Sequence, residues 1–411
     1  MELGTYMDIE GHEYVPKQLI NNQRFHHTHV IGKTGMGKST ALKNWAIGDM
    51  LAGDGLAFFD LHGQDIDDLL SYIPMHRQDD VILFDAGDRE YPVAFNPLSE
   101  IDTDDCAFAA ETVVESFRAI WHYSWGPQLE EYLRYGTRAL LDANGSLIGL
   151  KYLLTKPQYR DHVISKVRDP IVRDFWKYDF QEMLSQRDQQ DKTQSLRNKI
   201  GVFLSDPLMR NILGQTKSTI NPKKILKSGK ILLIKIPQGT LGLEKARIFA
   251  LLLLSSLHLA SLARNDKPIP FHIYLDEAHH FQGATLAELL SGVRKFNVSL
   301  TLAHQYLDQM DREVKQALLG TVGTLVAFET GADDTRILLA NYGHLLDSNA
   351  LTLGKGRAQV FNGESYCVKL PEAPGAATCR VNKLINRCRN DNAVKRAVVE
   401  QKLNKFIRNL K

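Results

Sequence analysis

Cysteine is scarce in this chain: Cys106, Cys367, Cys379 and Cys388 are the only four among 411 residues. None belongs to a CxxC pair, and the spacing of the last three suits neither a zinc site nor a disulfide framework. A reducing cytosol fits such usage. Long apolar runs are missing too. The longest, Ile248 to Ala263, is interrupted by Ser255, Ser256, His258 and Ser261 and falls short of the ~20 residues a spanning helix needs, so it reads as a helix buried in protein. The opening MELGTYMDIEGHEY scatters acidic residues where a signal peptide would be apolar. The expectation is a cytoplasmic chain with no membrane span of its own, reaching a membrane through partners. Net charge is nearly absent, with 50 Lys and Arg against 48 Asp and Glu, and by itself identifies no partner. Internal repeats and low-complexity segments are absent as well.

What is present is an ordinary globular composition, 44% hydrophobic and 24% charged, which excludes a disordered, collagen-like or membrane-embedded chain. The length suits two or three domains of ~150 residues, or one large domain with an insertion. Charge is unevenly spread: Arg380 to Lys411 holds ten basic and two acidic residues, so the tail is basic and the remainder mildly acidic. In that tail Asp391-Asn392 offers a helix N-cap, and Val394, Val398, Leu403, Phe406, Ile407 and Leu410 form one apolar face.

Short apolar runs bounded by turn residues mark buried parallel strands at His29-Val30-Ile31, Gly55 to Leu61, Asp80 to Asp85, Ile231 to Ile236, Phe271 to Leu275, Val298 to Ala303 and Thr324 to Phe328. Helical patterns alternate with them at both ends of the chain, which argues a mainly parallel sheet covered by helices. Between Asp104 and Leu204 the texture is almost wholly helical. The simplest organisation is an α/β domain begun by residues 1–95, an all-helical insertion at 96–220, a return to the α/β domain at 221–379, and a basic helical tail at 380–411.

Gly32-Lys33-Thr34-Gly35-Met36-Gly37-Lys38-Ser39, followed by Thr40, is a full GxxxxGK[ST] match between a strand and a helix. Glycines let main-chain N–H groups curl around phosphate, Lys38 neutralises the outer phosphates, and Ser39 is placed to ligate Mg²⁺. These residues are the candidate ATP site. The apolar run Phe271 to Leu275 ends in Asp276-Glu277, as a magnesium-holding carboxylate beside a water-activating one requires. Gln305, at the tip of the next strand, is placed to touch both γ-phosphate and the attacking water. His26, His27 and His29, and His279 and His280, lack the spacing of a known metal motif and read as packing histidines.

Several stretches together resemble the type IV secretion coupling proteins of bacterial conjugation, within the HerA and FtsK group of DNA pumps. They are HVIGKTGMGKST, FFDLHGQDIDDLL, FNPL, WGPQLEEYLRYGTRALL, SLRNKIGVFLSDPLMRNILGQ, IPQGTLGLEKARIFALLLLSSLHLASLAR, YLDEAHHF and GVRKFNVSLTLAHQ. The resemblance implies a RecA-like P-loop NTPase with an inserted all-helical domain, using ATP and Mg²⁺ and assembled as a ring, a homo-hexamer, around DNA of unspecified strandedness. It also implies a relaxase, nuclease or secretion-channel protein as partner, and it gives Arg294 the place of a trans-acting arginine. This sequence departs from the pattern in lacking the pair of membrane-spanning helices with which such proteins usually begin, and in carrying Leu61 where proline usually follows the strand Asp.

Three functions fit this reading: an ATP-driven DNA translocase, an ATPase that delivers or unfolds protein cargo in secretion, and a nucleotide-switched scaffold for DNA processing. DNA-stimulated hydrolysis separates the first from the second. The carboxylate of Glu277 argues against the third.

Overall fold

The computed structural model describes residues 1–7, 13–19, 21–182, 185–264, 268–342, 354–372, 375 and 380–409. Cys379 and Leu410 lie outside the described residues. The chain divides into two compact units, one formed by residues 1–84, 222–237 and 260–386, the other by 85–221, 238–259 and 387–411.

The first unit is built on a sheet whose strands are β1 (Glu2–Met7), β2 (Glu13–Gln18), β3 (Thr28–Ile31), β4 (Gly55–Asp60), β5 (Val81–Asp85), β6 (Ile231–Lys235), β7 (Phe271–Leu275), β8 (Val298–His304), β9 (Thr324–Ala327), β10 (Arg357–Phe361) and β11 (Ser365–Lys369). Their spatial order is β2-β1-β11-β10-β9-β3-β8-β7-β4-β6-β5. The centre is parallel, with β3 between β8 and β9, and β7 between β8 and β4. These strands are predominantly apolar because both faces are covered, and β3, β4, β7, β8 and β9 are buried along their whole length, with their few polar residues, His29, His272, Ser299, Thr301 and His304 among them, buried too.

The strands expected in the parallel centre form, with ends shifted by a residue or so. The sheet extends further than the apolar runs alone indicate: β10, β11, β1 and β2 add to it in antiparallel fashion. These strands mix polar residues among apolar ones, as in RAQVF and SYCVK, where Ala358, Val360, Tyr366 and Val368 are buried along with the polar Gln359. A strand with polar residues interspersed carries a weaker apolar signal than a mostly apolar one.

Strand order does the positioning. β8 lies between β3, which opens into the phosphate loop, and β7, which ends at Asp276. Parallel strands bring their C-terminal tips to one edge, so Gly32, Gln305 and Asp276 meet there although they are far apart in sequence.

The second unit is helical. Its helices include Cys106–Trp121, Pro127–Asp142, Gly149–Thr155, Pro157–Ile164, Gln186–Ser205 and Pro207–Leu213. Proline at the first helical position of three of these fixes where they begin, and the Asp206 carboxylate caps the last by accepting from Leu208 N at 2.8 Å. Phe117 stacks on Phe203 and Trp176 packs on Phe180 in its core. Asn96, of the FNPL stretch, is buried and ties this unit together: its Nδ2 donates to Gly145 O and Thr216 O, and its Oδ1 accepts from Leu98 N.

One helix among the described residues, Leu243–Leu262, is long and apolar enough to cross a membrane, and most of it is buried inside protein. The C-terminal segment differs from the expected single helix capped at Asp391-Asn392. Those two residues close a first helix, Val381–Asn392, and a second runs from Arg396 to Arg408. Residues 387–411 belong to the helical unit because Val399 and Leu403 are buried in it and Phe406 packs edge-on against Tyr152 and Tyr159.

Candidate active site

Residues 32–37 form the turn from β3 into the helix Lys38–Ala52. Gly37, immediately before that helix, has φ of 118°, a conformation L side chains rarely adopt. At Gly32 a Cβ would stand 2.5 Å from the Cβ of Phe328, so the neighbouring chain segment admits no side chain there. The buried Lys38 ammonium donates to Gly32 O at 2.7 Å and Lys33 O at 3.1 Å, drawing the loop closed. Burial pulls its pKa down, opposed by the charges of Glu277 and Asp276. Lys33 pairs through Nζ with Glu329 Oε1 at 2.7 Å, and Gly35, Met36 and Thr40 complete the loop and first turn.

Ser39 Oγ donates to Asp276 Oδ2 at 2.6 Å, joining the first turn of the helix to the tip of β7. Burial pushes the Asp276 carboxyl up to about 6; the hydrogen bond from Ser39 opposes that rise and the charge of Glu277 adds to it. A hydroxyl and a carboxylate at this separation are hard oxygen donors of the kind Mg²⁺ takes alongside phosphate oxygens and water. The donor set therefore fits the ion.

Glu277 adopts φ of 49°, uncommon for a residue other than glycine. This bend turns its carboxylate toward β8, where Gln305 Nε2 donates to Glu277 Oε1 at 3.1 Å. On the other side His279 Nδ1 lies 3.4 Å from Glu277 Oε2. Lys38, Ser39, Asp276, Glu277 and Gln305 are thus gathered at one edge of the sheet.

Arg294 is not among them. It lies in the turn Val293–Phe296 before β8 begins, whereas Gln305 follows the strand's end, about 20 Å away along seven residues at ~3.3 Å each. Arg294 is exposed, makes no ion pair among the described residues, and has His26 and His27 as electrostatic neighbours. It cannot reach the phosphate loop of its own chain.

Asp60, at the end of β4, is spent on its turn. Its carboxylate accepts from the N–H groups of His62, Gly63 and Ile66, which shapes the turn that carries Leu61.

A cluster behind the site has no motif to mark it in the sequence. Arg24, 2% exposed, forms a two-pronged pair with Asp49, at 2.5 and 2.7 Å, and donates to Tyr274 Oη at 3.1 Å. Tyr274 Oη donates to Asp49 Oδ2, and His272 meets Ser299 Oγ at 2.7 Å and Asp54 Oδ2 at 3.2 Å. Asp49, Asp54 and His272 are close enough to hold a cation, but the Arg24 guanidinium already neutralises Asp49. The one detectable signal is Tyr274, two residues before Asp276 and so on the same face of β7. The other histidines have packing roles: His27 Nδ1 accepts from Leu300 N at 3.1 Å, and His29 faces His304.

This constellation lies at one edge of an α/β sheet, and comparison with solved structures gives the fold more closely. The chain is similar to the bacterial conjugative coupling protein TrwBdeltaN70 in its unbound form, with a TM-score of 0.64 and 19% identity over 92% of this chain and 91% of that one. It is equally similar to the plasmid coupling protein TrwB in complex with ADP and Mg²⁺, at TM-score 0.64 and 18% identity over 92% and 95% of the two chains. VirB4 of Thermoanaerobacter pseudethanolicus follows at TM-score 0.56 and 14% identity, over 91% and 97%. No family model and no curated protein matches the chain. The fold is therefore the TrwB-like α/β fold with a mixed, mainly parallel sheet, in keeping with the fold class expected from the sequence.

Proposed function

We propose that this chain is an ATP-hydrolysing motor that moves DNA, working as a ring of identical subunits. The observation that carries the reading is the junction of Ser39 with Asp276, beside the contact of Gln305 with Glu277, on a fold shared with a conjugative coupling protein. Main-chain N–H groups of residues 32–40 and the Lys38 ammonium take the phosphates. Ser39 and Asp276 hold Mg²⁺, which when bound offsets negative charge on the β- and γ-phosphates. Glu277 accepts a proton from the attacking water, and Gln305 orients that water against the γ-phosphate. Arg294, remote from its own loop, serves the ATP of the adjacent subunit in a homo-hexamer.

DNA as the cargo is supported by the likeness to coupling proteins and by the basic segment from Arg380 onward. A relaxase, nuclease or secretion-channel protein is the partner class that accompanies this reading. The test is ATP turnover by the purified full chain with no nucleic acid, with single-stranded DNA and with duplex DNA, alongside imaging with a non-hydrolysable ATP analogue. Stimulation by either form of DNA, and rings enclosing it, is the expected result. Turnover indifferent to DNA but raised by a protein substrate would replace this reading with cargo delivery.

A further inference from the structure

Two histidines with no role in the scheme above face each other between the strand entering the phosphate loop and the strand ending at Gln305. His29 and His304 are both fully buried, with ring planes 3° apart and centroids separated by 4.9 Å. Their Nε2 atoms stand 2.7 Å apart. His304 Nδ1 lies 3.0 Å from the carbonyl oxygen of Tyr306, which can only accept, so Nδ1 carries the proton. A neutral ring protonated there has a bare Nε2, so His29 Nε2 must be the donor between the rings. Burial favours the neutral form of both, holding His304 down to about 4 and His29 well below the ordinary histidine range.

We infer that the His29–His304 pair positions Gln305 and couples it to the phosphate loop. His304 precedes Gln305, and its ring bonds to the carbonyl of Tyr306, which follows; one imidazole thus grips the main chain on both sides of Gln305. Gln309 Oε1 completes the turn by accepting from Gln305 N at 2.9 Å and Tyr306 N at 3.2 Å. The Gln305 amide is thereby aimed at Glu277. At the other end, His29 stands three residues before Gly32 in β3, so a displacement of the loop reaches Gln305 through one directed hydrogen bond.

The pairing has a cost that an apolar pair would avoid: His29 Nδ1 is buried with no hydrogen-bond partner among the described residues. Two packed apolar side chains would hold the strands equally well. They would not fix the tautomer and plane of the ring that brackets Gln305.

This inference rests on the ATPase reading, and its test separates the two. In the full chain, His29→Leu removes the donor, whereas His29→Gln offers an amide N–H near the position of Nε2. Binding of a non-hydrolysable ATP analogue should stay within about twofold of wild type in both, while kcat falls about tenfold in His29→Leu and returns to at least about half of wild type in His29→Gln. Because His29 acts through Gln305, adding His29→Leu to Gln305→Ala should cost less than about twofold more. An unchanged kcat in His29→Leu, no recovery in His29→Gln, or a full additional loss in the double variant overturns the inference.

Should His29→Leu fail to fold, the imidazole ¹⁵N spectrum of the wild-type protein decides. The proton should sit on Nδ1 of His304 and Nε2 of His29, and the His304 signals should move when the analogue and Mg²⁺ are added. Other tautomers, or a spectrum indifferent to nucleotide, overturn the inference. A wild-type protein that hydrolyses no ATP sinks the motor reading instead, and the ¹⁵N spectrum still judges the pair.

Discussion

Tyr274 Oη donates to Asp49 Oδ2 at 2.5 Å, two residues before Asp276 on β7 and ten after Ser39 on the phosphate-loop helix. Together with the Ser39–Asp276 bond, it fastens this helix to this strand at two points, one at the helix's first turn and one behind it. Arg24 closes the rear fastening by pairing with Asp49. The distance between the phosphate loop and the acidic strand is thus set by buried polar contacts as well as by apolar packing.

The rear fastening should be costly to break from one side only. Arg24→Leu leaves the buried Asp49 carboxylate without its cation and should destabilise the protein by about 3–5 kcal/mol. Tyr274→Phe removes two hydrogen bonds, the one donated to Asp49 and the one accepted from Arg24, but leaves the ion pair in place and should cost about 2–3 kcal/mol. Urea unfolding of the two variants measures both; equal small losses would show that Asp49 finds another partner.

The front of the site divides its labour. Lys38→Ala removes the charge facing the outer phosphates and should abolish hydrolysis, whereas Glu277→Gln keeps shape but not basicity and should hold ATP unhydrolysed. Single-turnover hydrolysis with a filter-binding assay distinguishes them. Near-normal turnover in Glu277→Gln would assign the base elsewhere.

These carboxylates, the loop and Gln305 are all legible in the sequence, because each stands at the end of a short, mostly apolar run and such runs mark buried strands. The His29–His304 and Arg24–Asp49 contacts are not. They join residues 275 and 25 positions apart, and only the strand order β3-β8-β7 and the seating of one helix bring them together. Sequence spacing carries no trace of such neighbours. The antiparallel strands are hidden for a different reason: with polar residues interspersed they resemble ordinary surface segments.

Arg294→Ala should bind ATP normally yet lose about 10³ in turnover, since its place beyond the N-terminal end of β8 lets it serve only a neighbouring chain. Mixing it with Lys38→Ala should restore partial activity through seams that carry an intact loop and an intact arginine. A dead mixture that still forms rings, or wild-type turnover in Arg294→Ala alone, would refute the assignment.

Acid should weaken the fold through its buried histidines. Burial holds His27 and His304 near 4, below the ordinary value of 6.5. Between those values the unfolded chain binds more protons than the folded one, so stability falls as pH drops from about 6.5 toward 4. His27→Asn isolates one contribution: His27 has φ of 65°, which asparagine tolerates, and an asparagine Oδ1 can accept from Leu300 N as Nδ1 does. The variant should match wild type within about 0.5 kcal/mol at pH 7.5 and lose less stability by pH 5. Parallel curves would mean that His27 takes up its proton without unfolding the chain.

The C-terminal segment is structural as well as basic. Phe406 stands against Tyr152 and Tyr159, so Phe406→Ala should cost about 1–3 kcal/mol, and removing residues 380–411 would damage the helical unit along with any binding. Charge is better tested by replacing the exposed Lys395, Lys402 and Lys405 with alanine. If these lysines neutralise DNA phosphates, the log–log salt dependence of binding should flatten by about 0.7–0.9 for each phosphate left without its lysine; an unchanged slope would place them against protein or solvent.

The strand Val298–His304 is buried along its full length, with the Arg294 turn before it and Gln305 after it. In the ring proposed above, one end meets the neighbour's nucleotide and the other reads its own. A hydrogen-bonded strand can slide or tilt but hardly compress, so in that proposed ring it would act as a push-rod between two combustion chambers. The timing around such a ring would then depend on the register of a seven-residue segment, and inserting or deleting a single residue there would turn its side chains to the opposite face of the sheet, breaking the His29–His304 contact and carrying Gln305 away from Glu277.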